Sequence, residues 1–325
     1  MRAKILLKAR PTPAQLADRL APPRPDGLEF YLDARDLAPD DWLPRLMAIM
    51  AAAPRAGETG ETDETADGFT YIVEGPIRSL DGAYFDVTRD APADQEVLAR
   101  LVRFGRAIGA EVAVIHLAAP TADPAALAAD AHREALDRCL PFLEHYAALC
   151  REHGLIPTVE NIPPIGQMRE DSALFSPLGV EPSDLARCCA AVPGLGITFD
   201  TSHAGLYLEA VDADPAGLTP SLRPAVERYA PSPEARTLGH YVNLIEPWLV
   251  NVHVSNAAGL LGEGLPYGEG RFDLDALLPR LATRARCIVT ETLEPDPERA
   301  VHMRDAQSRI AAALGRAPAV APAMG

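Results

Sequence analysis

Long apolar runs are missing from this sequence of 325 residues, and cysteines are few and lack the spacing of a metal-binding or redox motif. No stretch is long and apolar enough to cross a bilayer, and the apolar run near the amino terminus is too short for a signal peptide. The five cysteines are odd in number and form no Cys-x-x-Cys motif, which is typical of unpaired thiols in a reducing compartment. We therefore expect a cytoplasmic protein without a membrane segment.

Positive charge is also scarce. The chain has 30 Lys and Arg residues against 46 Asp and Glu residues, which gives a formal net charge of -16 at pH 7. Because an acidic surface repels phosphate backbones, we expect no nucleic-acid partner, although a local basic pocket for one phosphate group remains open. No Gly-x-Gly-x-x-Gly motif follows a predicted strand, so a dinucleotide-binding fold has little support.

Eight β-prone segments alternate with helical patterns along the chain, which is typical of a parallel α/β sheet. The number eight favours closure into a (β/α)8 TIM barrel, which commonly forms a single domain of this length. The spacing agrees, because Glu160 and Asp200 lie 40 residues apart, close to the roughly 41 residues of eight equal units. We expect the barrel to span residues 1–315 and residues 316–325 to form a flexible tail. The predicted strands are 4–8, 27–33, 69–74, 111–117, 155–161, 196–200, 249–254 and 286–291.

Four of the predicted strands carry a residue that can bind a metal ion. Apolar runs lead to Glu160, Asp200 and Glu291 at their carboxyl ends, and the strand of residues 249–254 carries His253. A single acid at a strand end is often only a helix cap or the partner of a lysine. In a closed barrel, however, the four ends are neighbours around half of the ring, and three converging carboxylates repel one another unless a cation neutralises them. These donors suit one divalent ion, Mn²⁺, Mg²⁺, Co²⁺ or Zn²⁺, between which the sequence does not choose.

The segments around these strand ends resemble the xylose isomerase-like TIM barrel superfamily. Within it they are most similar to the branch of sugar phosphate isomerases and epimerases that includes the ketose 3-epimerases. The resemblance covers residues 110–295, and the first third of the chain matches only as a generic barrel. The motifs that carry it are Val159-Glu160-Asn161, Phe199-Asp200-Thr201-Ser202-His203, Val252-His253-Val254-Ser255, Pro266-Tyr267-Gly268-Glu269-Gly270 and Thr290-Glu291.

The resemblance implies a metal site and a type of reaction. It implies that one divalent ion binds the carbonyl and the adjacent hydroxyl of a small sugar, sugar phosphate or keto-polyol and stabilises an enediolate. It further implies that Glu160 and Glu291 transfer the proton as an acid/base pair, in an isomerisation or an epimerisation. The ligands that it implies for the ion are Glu160, Asp200, His253 and Glu291.

Four further residues are predicted to contact the substrate: His203, His116, Glu74 and Arg271. His116 matches a position that the superfamily's DNA-repair endonucleases use, and it is equally well explained as a group behind the metal ligands or as a buried histidine. Glu74 stands where those endonucleases have a histidine, and residues 262–264 read Gly-Glu-Gly where they have Asp-x-His, so a three-metal endonuclease is not expected. Arg271 lies beside a Gly-Glu-Gly turn, where it either reaches a substrate phosphate or is an ordinary surface arginine.

Two other functions fit the same residues. A metal-dependent lyase or hydrolase, such as a dehydratase, would use the same enediolate and then lose a β-hydroxyl group. A non-catalytic barrel would instead act as a binding or accessory protein in a biosynthetic pathway, which a closed and metal-free pocket would favour. The sequence leaves the substrate and the oligomeric state open, and a homo-oligomer is compatible with it.

Overall fold

Eight parallel strands form a closed barrel in a computed structural model that describes residues 2–53, 68–167 and 173–316. Each strand is hydrogen-bonded to its neighbours in chain order, and the first strand also pairs with the last. The predicted (β/α)8 fold is therefore confirmed, whereas the predicted tail lies, after Arg316, outside the described residues. The strands are β1 (Lys4–Ala9), β2 (Gly27–Tyr31), β3 (Thr70–Glu74), β4 (Val112–His116), β5 (Ile156–Glu160), β6 (Gly196–Asp200), β7 (Leu249–Val254) and β8 (Cys287–Thr290).

Helices fill the connections between the strands and cover the outside of the barrel. Their buried apolar side chains form one core with outward-facing strand residues such as Leu7, Phe30 and Ile115. This burial of apolar surface is the main stabilising contribution to the fold. The helices are α1 (Pro13–Arg19), α2 (Ala34–Leu37), α3 (Trp42–Ala52), α4 (Pro92–Ile108), α5 (Ala129–Glu152), α6 (Pro182–Ala191), α7 (Thr201–Asp212), α8 (Arg223–Tyr229), α9 (Leu238–Ile245), α10 (Leu274–Arg284) and α11 (Val301–Ala313).

Strand residues alternate between the helix-covered outside of the barrel and its interior. A separate buried cluster fills the interior, and the next inward positions along its strands lie at the carboxyl end of the barrel. Those positions are Lys8, Glu74, His116 and Glu291, so the alternation that builds the interior also delivers polar side chains to one end. The apolar residues of this cluster are Leu6, Ile72, Val112, Val114, Cys287 and Val289.

One irregularity in the barrel bears directly on the predicted metal site. The register between β6 and β7 shifts, so that β7 carries a bulge at Val250 and Asn251. Val250 packs against the interior cluster and Asn251 donates a hydrogen bond to the buried Glu29, so two successive side chains face inwards. Because of this extra residue, the next inward position is His253 rather than Val252. The bulge therefore aims the predicted histidine ligand into the barrel.

All five cysteines are buried free thiols, and the sulfur atoms of Cys139 and Cys188 approach to 3.8 Å where α5 meets α6. Within residues 2–53, 68–167 and 173–316, every helix is too short or too polar to cross a bilayer.

Candidate metal centre and substrate site

The four predicted metal ligands come together at the carboxyl end of the barrel. Glu160 and Asp200 are the last residues of β5 and β6, His253 lies near the end of β7, and Glu291 directly follows β8. One ligand atom from each residue lies within 4.8 Å of the others. Glu160, Asp200 and His253 are buried, whereas 28% of the Glu291 side chain is exposed. Glu291 therefore lies on the open side of the cluster.

His253 has a defined orientation because carboxylates contact both of its ring nitrogens. Nδ1 lies 2.6 Å from Glu291 Oε2 and 3.1 Å from Glu160 Oε1. Nε2 lies 2.9 Å and 3.0 Å from the two carboxylate oxygens of Glu29, which is buried in β2. A carboxylate that accepts one ring N–H of a histidine leaves the other nitrogen free to bind a metal ion. Glu29 thus directs Nδ1 towards the other predicted ligands.

Asp200 also has the ordinary structural role of an acid at a strand end. It is the N-cap of α7, and its Oδ1 accepts a hydrogen bond of 2.6 Å from the backbone N–H of His203. The side-chain amide of Asn161, next to Glu160, pairs with the backbone of Asp200 at 2.7 and 2.9 Å. These hydrogen bonds fix the end of β6 relative to the end of β5, and they therefore fix the positions of Asp200 and Glu160 relative to each other.

The residues present fit a divalent ion. Oε2 of Glu160 and Oε2 of Glu291 are buried oxygens that accept no hydrogen bond from the described residues. The Glu291 oxygen lies close to His253 Nδ1 without hydrogen-bond geometry, as expected of two ligand atoms that face a common point. Leaving such oxygens unpaired costs about 1–3 kcal/mol each, a cost that a bound cation removes. Three carboxylates and one imidazole are donors that Mn²⁺, Mg²⁺, Co²⁺ and Zn²⁺ all accept.

Burial and neighbouring charges give these carboxyl groups different pKa values. Burial alone would raise the pKa of Glu160, but the attraction of His253 outweighs it and lowers that pKa to about 2. At Asp200 burial dominates and raises the pKa to about 7. Burial also opposes ionisation of Glu291, yet Lys8 and His253 hold its pKa well below the usual range. Glu160 and Glu291 are therefore carboxylates at neutral pH.

Two of the predicted substrate contacts, His203 and His116, lie against Glu160. The Nδ1 of His203 lies 3.6 Å from Glu160 Oε1 and 2.7 Å from the backbone oxygen of Asn161. Its Nε2 lies 3.1 Å from Oε1 of Glu263. His116, at the end of β4, places its Nε2 3.7 Å from Glu160 Oε2. Both imidazoles therefore border the proposed metal position.

Glu74, a third predicted substrate contact, forms an ion pair with Lys8. The Nζ atom of Lys8, in β1, lies 2.5 Å from Glu74 Oε2 and donates a hydrogen bond to Glu291. Burial raises the pKa of Glu74 well above its ordinary value, although the charge of Lys8 opposes this shift. The side chain of Lys8 is 11% exposed, and it is one of only two lysines in the chain.

Three further residues of this site were not predicted from the sequence: Lys8, Glu29 and Glu263. Lys8 and Glu29 are register partners on the adjacent strands β1 and β2, and both point inwards. Charged residues at inward positions of apolar strands are a signal that the alternation alone could have revealed. Glu263 lies in an antiparallel hairpin of strands Asn256–Ala258 and Gly262–Leu265, whose placement beside His203 becomes evident only from the fold.

Arg271 lies outside the cluster of predicted ligands. Its guanidinium group bonds to Asp212 and lies 3.3 Å from Glu209, both of which belong to α7. These acidic partners engage the group that was expected to meet a substrate phosphate. A phosphate contact by Arg271 therefore stays a prediction that requires these ion pairs to open.

Several solved structures share this fold. A D-tagatose 3-epimerase-like protein is 16% identical, with a TM-score of 0.61 over 96% of this chain and 98% of that one. A 3-keto-D-glucoside 4-epimerase from E. coli is 13% identical, with a TM-score of 0.58 over 96% of this chain and 100% of that one. An AP endonuclease of family 2 from Brucella melitensis is 11% identical, with a TM-score of 0.56 over 94% of this chain and 99% of that one. At these identities the likeness establishes the fold alone.

The family of the chain follows from its sequence. No curated protein matches the chain significantly. The family model described as xylose isomerase-like TIM barrel, however, matches residues 75–313, which is most of the chain. The matched range includes β4 to β8 and all four predicted metal ligands. This chain therefore belongs to the xylose isomerase-like TIM barrel family.

Proposed function

We propose that this protein is a divalent-metal-dependent isomerase or epimerase of a small sugar, sugar phosphate or keto-polyol. The family, and the epimerase descriptions of two similar structures, support an enzyme of this type. The observation that carries the proposal is the convergence of Glu160, Asp200, His253 and Glu291, whose ligand atoms lie within 4.8 Å of one another.

Glu160 and Glu291 are the proposed acid/base pair. A bound ion would supply the Lewis acidity that polarises the substrate's carbonyl group. Both carboxylates are ionised at neutral pH because their pKa values are held low, so each can accept a proton. One removes the proton from the carbon beside the carbonyl, which leaves the substrate as an enediolate. The other takes up a proton from solvent and delivers it to the opposite face of that carbon in an epimerisation, while the first releases its proton to solvent; an isomerisation ends instead with protonation of the neighbouring carbon.

Three side chains around the pair are proposed to bind substrate hydroxyl groups. His203 and His116 supply ring nitrogens beside Glu160, and Glu74 supplies carboxylate oxygens next to Lys8. Adjacent donors and acceptors of this kind match the successive hydroxyl groups of a sugar or polyol, each of which both donates and accepts. The phosphate group of a phosphorylated substrate would in addition bind to Arg271.

A small-molecule substrate fits the charge of the chain better than DNA does. The formal net charge is -16, and Glu74 and Glu263 add carboxylates beside the proposed metal position. Phosphate backbones bind to clustered lysine and arginine side chains. We therefore place the protein with the carbohydrate-modifying branch, although an AP endonuclease has a similar fold.

The test of this proposal is deuterium incorporation. The protein is loaded with Mn²⁺ and incubated in D₂O with a panel of ketoses, ketose phosphates and keto-polyols, and the reaction is followed by NMR. We expect deuterium at the carbon beside the carbonyl and the appearance of an epimer or isomer. Glu160→Gln and Glu291→Gln should each slow the exchange by about 10²-fold or more, because each removes one member of the pair.

The matched control is Glu111→Gln. Glu111 lies at the amino end of the barrel, where it accepts a hydrogen bond from Arg286, and this variant should exchange at the wild-type rate. Unchanged exchange in both active-site variants would contradict the proposed pair, and no exchange with any substrate of the panel would contradict the proposed function. Loss of water with a new ultraviolet absorbance would identify a lyase instead.

A further inference from the structure

The ammonium group of Lys8 lies among three carboxylates at the carboxyl end of the barrel. Its Nζ atom lies 2.5 Å from Glu74 Oε2, donates a hydrogen bond to Glu291 and lies 3.9 Å from Glu29 Oε1. The three acids belong to β2, β3 and the end of β8, on either side of β1. Lys8 is therefore the cation around which this part of the site is arranged.

The same carboxylates form a second group with the geometry of a metal site. Ligand atoms of Glu29, Glu74, His253 and Glu291 lie within 4.8 Å of one another, and this group shares His253 and Glu291 with the first one. Oε1 of Glu29 and Oε2 of Glu74 are buried oxygens that accept no hydrogen bond from any described residue, although both face the Lys8 ammonium. Both oxygens thus face a positive charge without accepting a hydrogen bond, which is also how carboxylate oxygens face a bound metal ion.

We propose that Lys8 occupies a latent second cation site and thereby limits the barrel to one divalent ion. The inference rests on the proposed metal site of Glu160, Asp200, His253 and Glu291. With Lys8 present, its charge neutralises part of the repulsion between Glu29, Glu74 and Glu291. Without it, three converging carboxylates remain, and the positive charge that neutralises them must come from solution. Lys8 is thus a built-in substitute for a second metal ion.

The test is the metal content of lysine variants. Wild type, Lys8→Met and Lys8→Arg are dialysed against Mn²⁺, passed over a desalting column and measured by elemental mass spectrometry. We expect about one equivalent in wild type and in Lys8→Arg, which keeps the positive charge, and about two in Lys8→Met. Lys8→Gln, equally neutral but polar, should also bind about two and serves if the Met variant does not fold.

Lys4→Met is the matched control. Lys4 is the chain's other lysine, lies on the same strand and bonds to Gly68 and Glu111 at the opposite end of the barrel. This variant should bind about one equivalent, as wild type does. One equivalent in the neutral Lys8 variants, or two in wild type, overturns the inference while leaving the proposed function intact. An absence of metal from every sample overturns both.

Discussion

At the scale of single residues, the orientation of His253 decides whether the site can bind a metal ion. The imidazole could present either nitrogen to the other predicted ligands, and Glu29 selects Nδ1 because its Oε2 accepts a hydrogen bond from Nε2 and its Oε1 lies 2.9 Å from the same nitrogen. Glu29 itself is fixed by Asn251, which the bulge of β7 turns inwards. A residue outside the proposed set of four metal ligands thereby determines the orientation of one of them.

We predict that Glu29→Gln weakens metal binding. The neutral amide attracts the Nε2–H less strongly than the carboxylate does, and its NH₂ group can repel that hydrogen, so the histidine loses its fixed orientation. Affinity for Mn²⁺ or Zn²⁺ should fall by about 10–100-fold, as is usual when the group behind a histidine ligand is removed. Competition with a chromogenic chelator measures the change. Glu111→Gln is the control, and an affinity for Glu29→Gln that equals that of wild type would show that Glu29 does not orient His253.

Asp200 combines two roles that mutations can separate. It caps α7, and it is a proposed metal ligand. We predict that Asp200→Ala without metal loses about 0.5–2 kcal/mol of unfolding free energy, whereas Asp200→Asn, an equally good cap, loses almost none. Both variants should bind metal more weakly, because both lack the carboxylate charge. Urea unfolding and chelator competition measure the two effects.

The two Asp200 variants also test whether this residue acts only as a helix cap. If Asp200 is only a helix cap, Asp200→Asn will bind metal as tightly as wild type does.

At the scale of elements, an ion pair joins the first turns of α5 and α6. His132 Nε2 lies 2.6 Å from Asp184 Oδ1, and the other Asp184 oxygen accepts a hydrogen bond from the backbone of Gly179. Arg228 and Glu181 also face this pair. The hydrogen bond with Asp184 raises the pKa of His132 above its ordinary value of 6.5, against the effect of burial. The pair therefore ties two helices together in a way that depends on pH.

We predict that His132→Gln destabilises the protein more at low pH than at high pH. A raised pKa in the folded state means that the stabilisation is fully present below the unfolded pKa of about 6.5 and is lost as the pH rises through the folded pKa. The unfolding free energy should fall by about 1–2 kcal/mol at pH 6 and by much less at pH 9. Urea unfolding at both pH values tests this, with the exposed His145→Gln on the same helix as the control. An equal loss at the two pH values would contradict the assignment.

Some features of the strands can be predicted from the sequence, and others cannot. Apolar β-prone runs such as residues 196–200 predict the barrel strands, because burial on both sides needs such residues. The acids at their ends are predictable for the same reason, since a closed barrel makes those ends neighbours. The bulge of β7 cannot be predicted from the sequence, because it depends on the register between β6 and β7. Strand alternation identifies Lys8 and Glu29 as inward-facing charges, but their position beside each other depends on the register between β1 and β2.

At the scale of the whole molecule, the proposed metal ion is bound by strands that are distant in the sequence. Glu160 and Glu291 lie on β5 and beyond β8, so an ion between them crosslinks opposite parts of the chain. Binding to the folded state alone stabilises the entire domain. The ion should therefore act on global unfolding as well as on the reaction.

We predict that removal of the metal lowers the stability of the whole domain. With free Mn²⁺ at a hundred times its Kd, the unfolding free energy should exceed that of the EDTA-treated protein by about 2.7 kcal/mol. Urea unfolding with and without Mn²⁺ measures the difference. Asp200→Ala should show a smaller difference at the same Mn²⁺ concentration, and a full-sized stabilisation of that variant would place the bound ion elsewhere.

The most direct test of the central claim is anomalous diffraction from a crystal of the Mn²⁺-loaded protein. The claim is that Glu160, Asp200, His253 and Glu291 together hold one divalent ion. We predict one anomalous peak at the carboxyl end of the barrel, about 2.0–2.3 Å from an oxygen of each acid and from Nδ1 of His253. A peak bound by other residues, or no peak at saturating Mn²⁺, would contradict the claim.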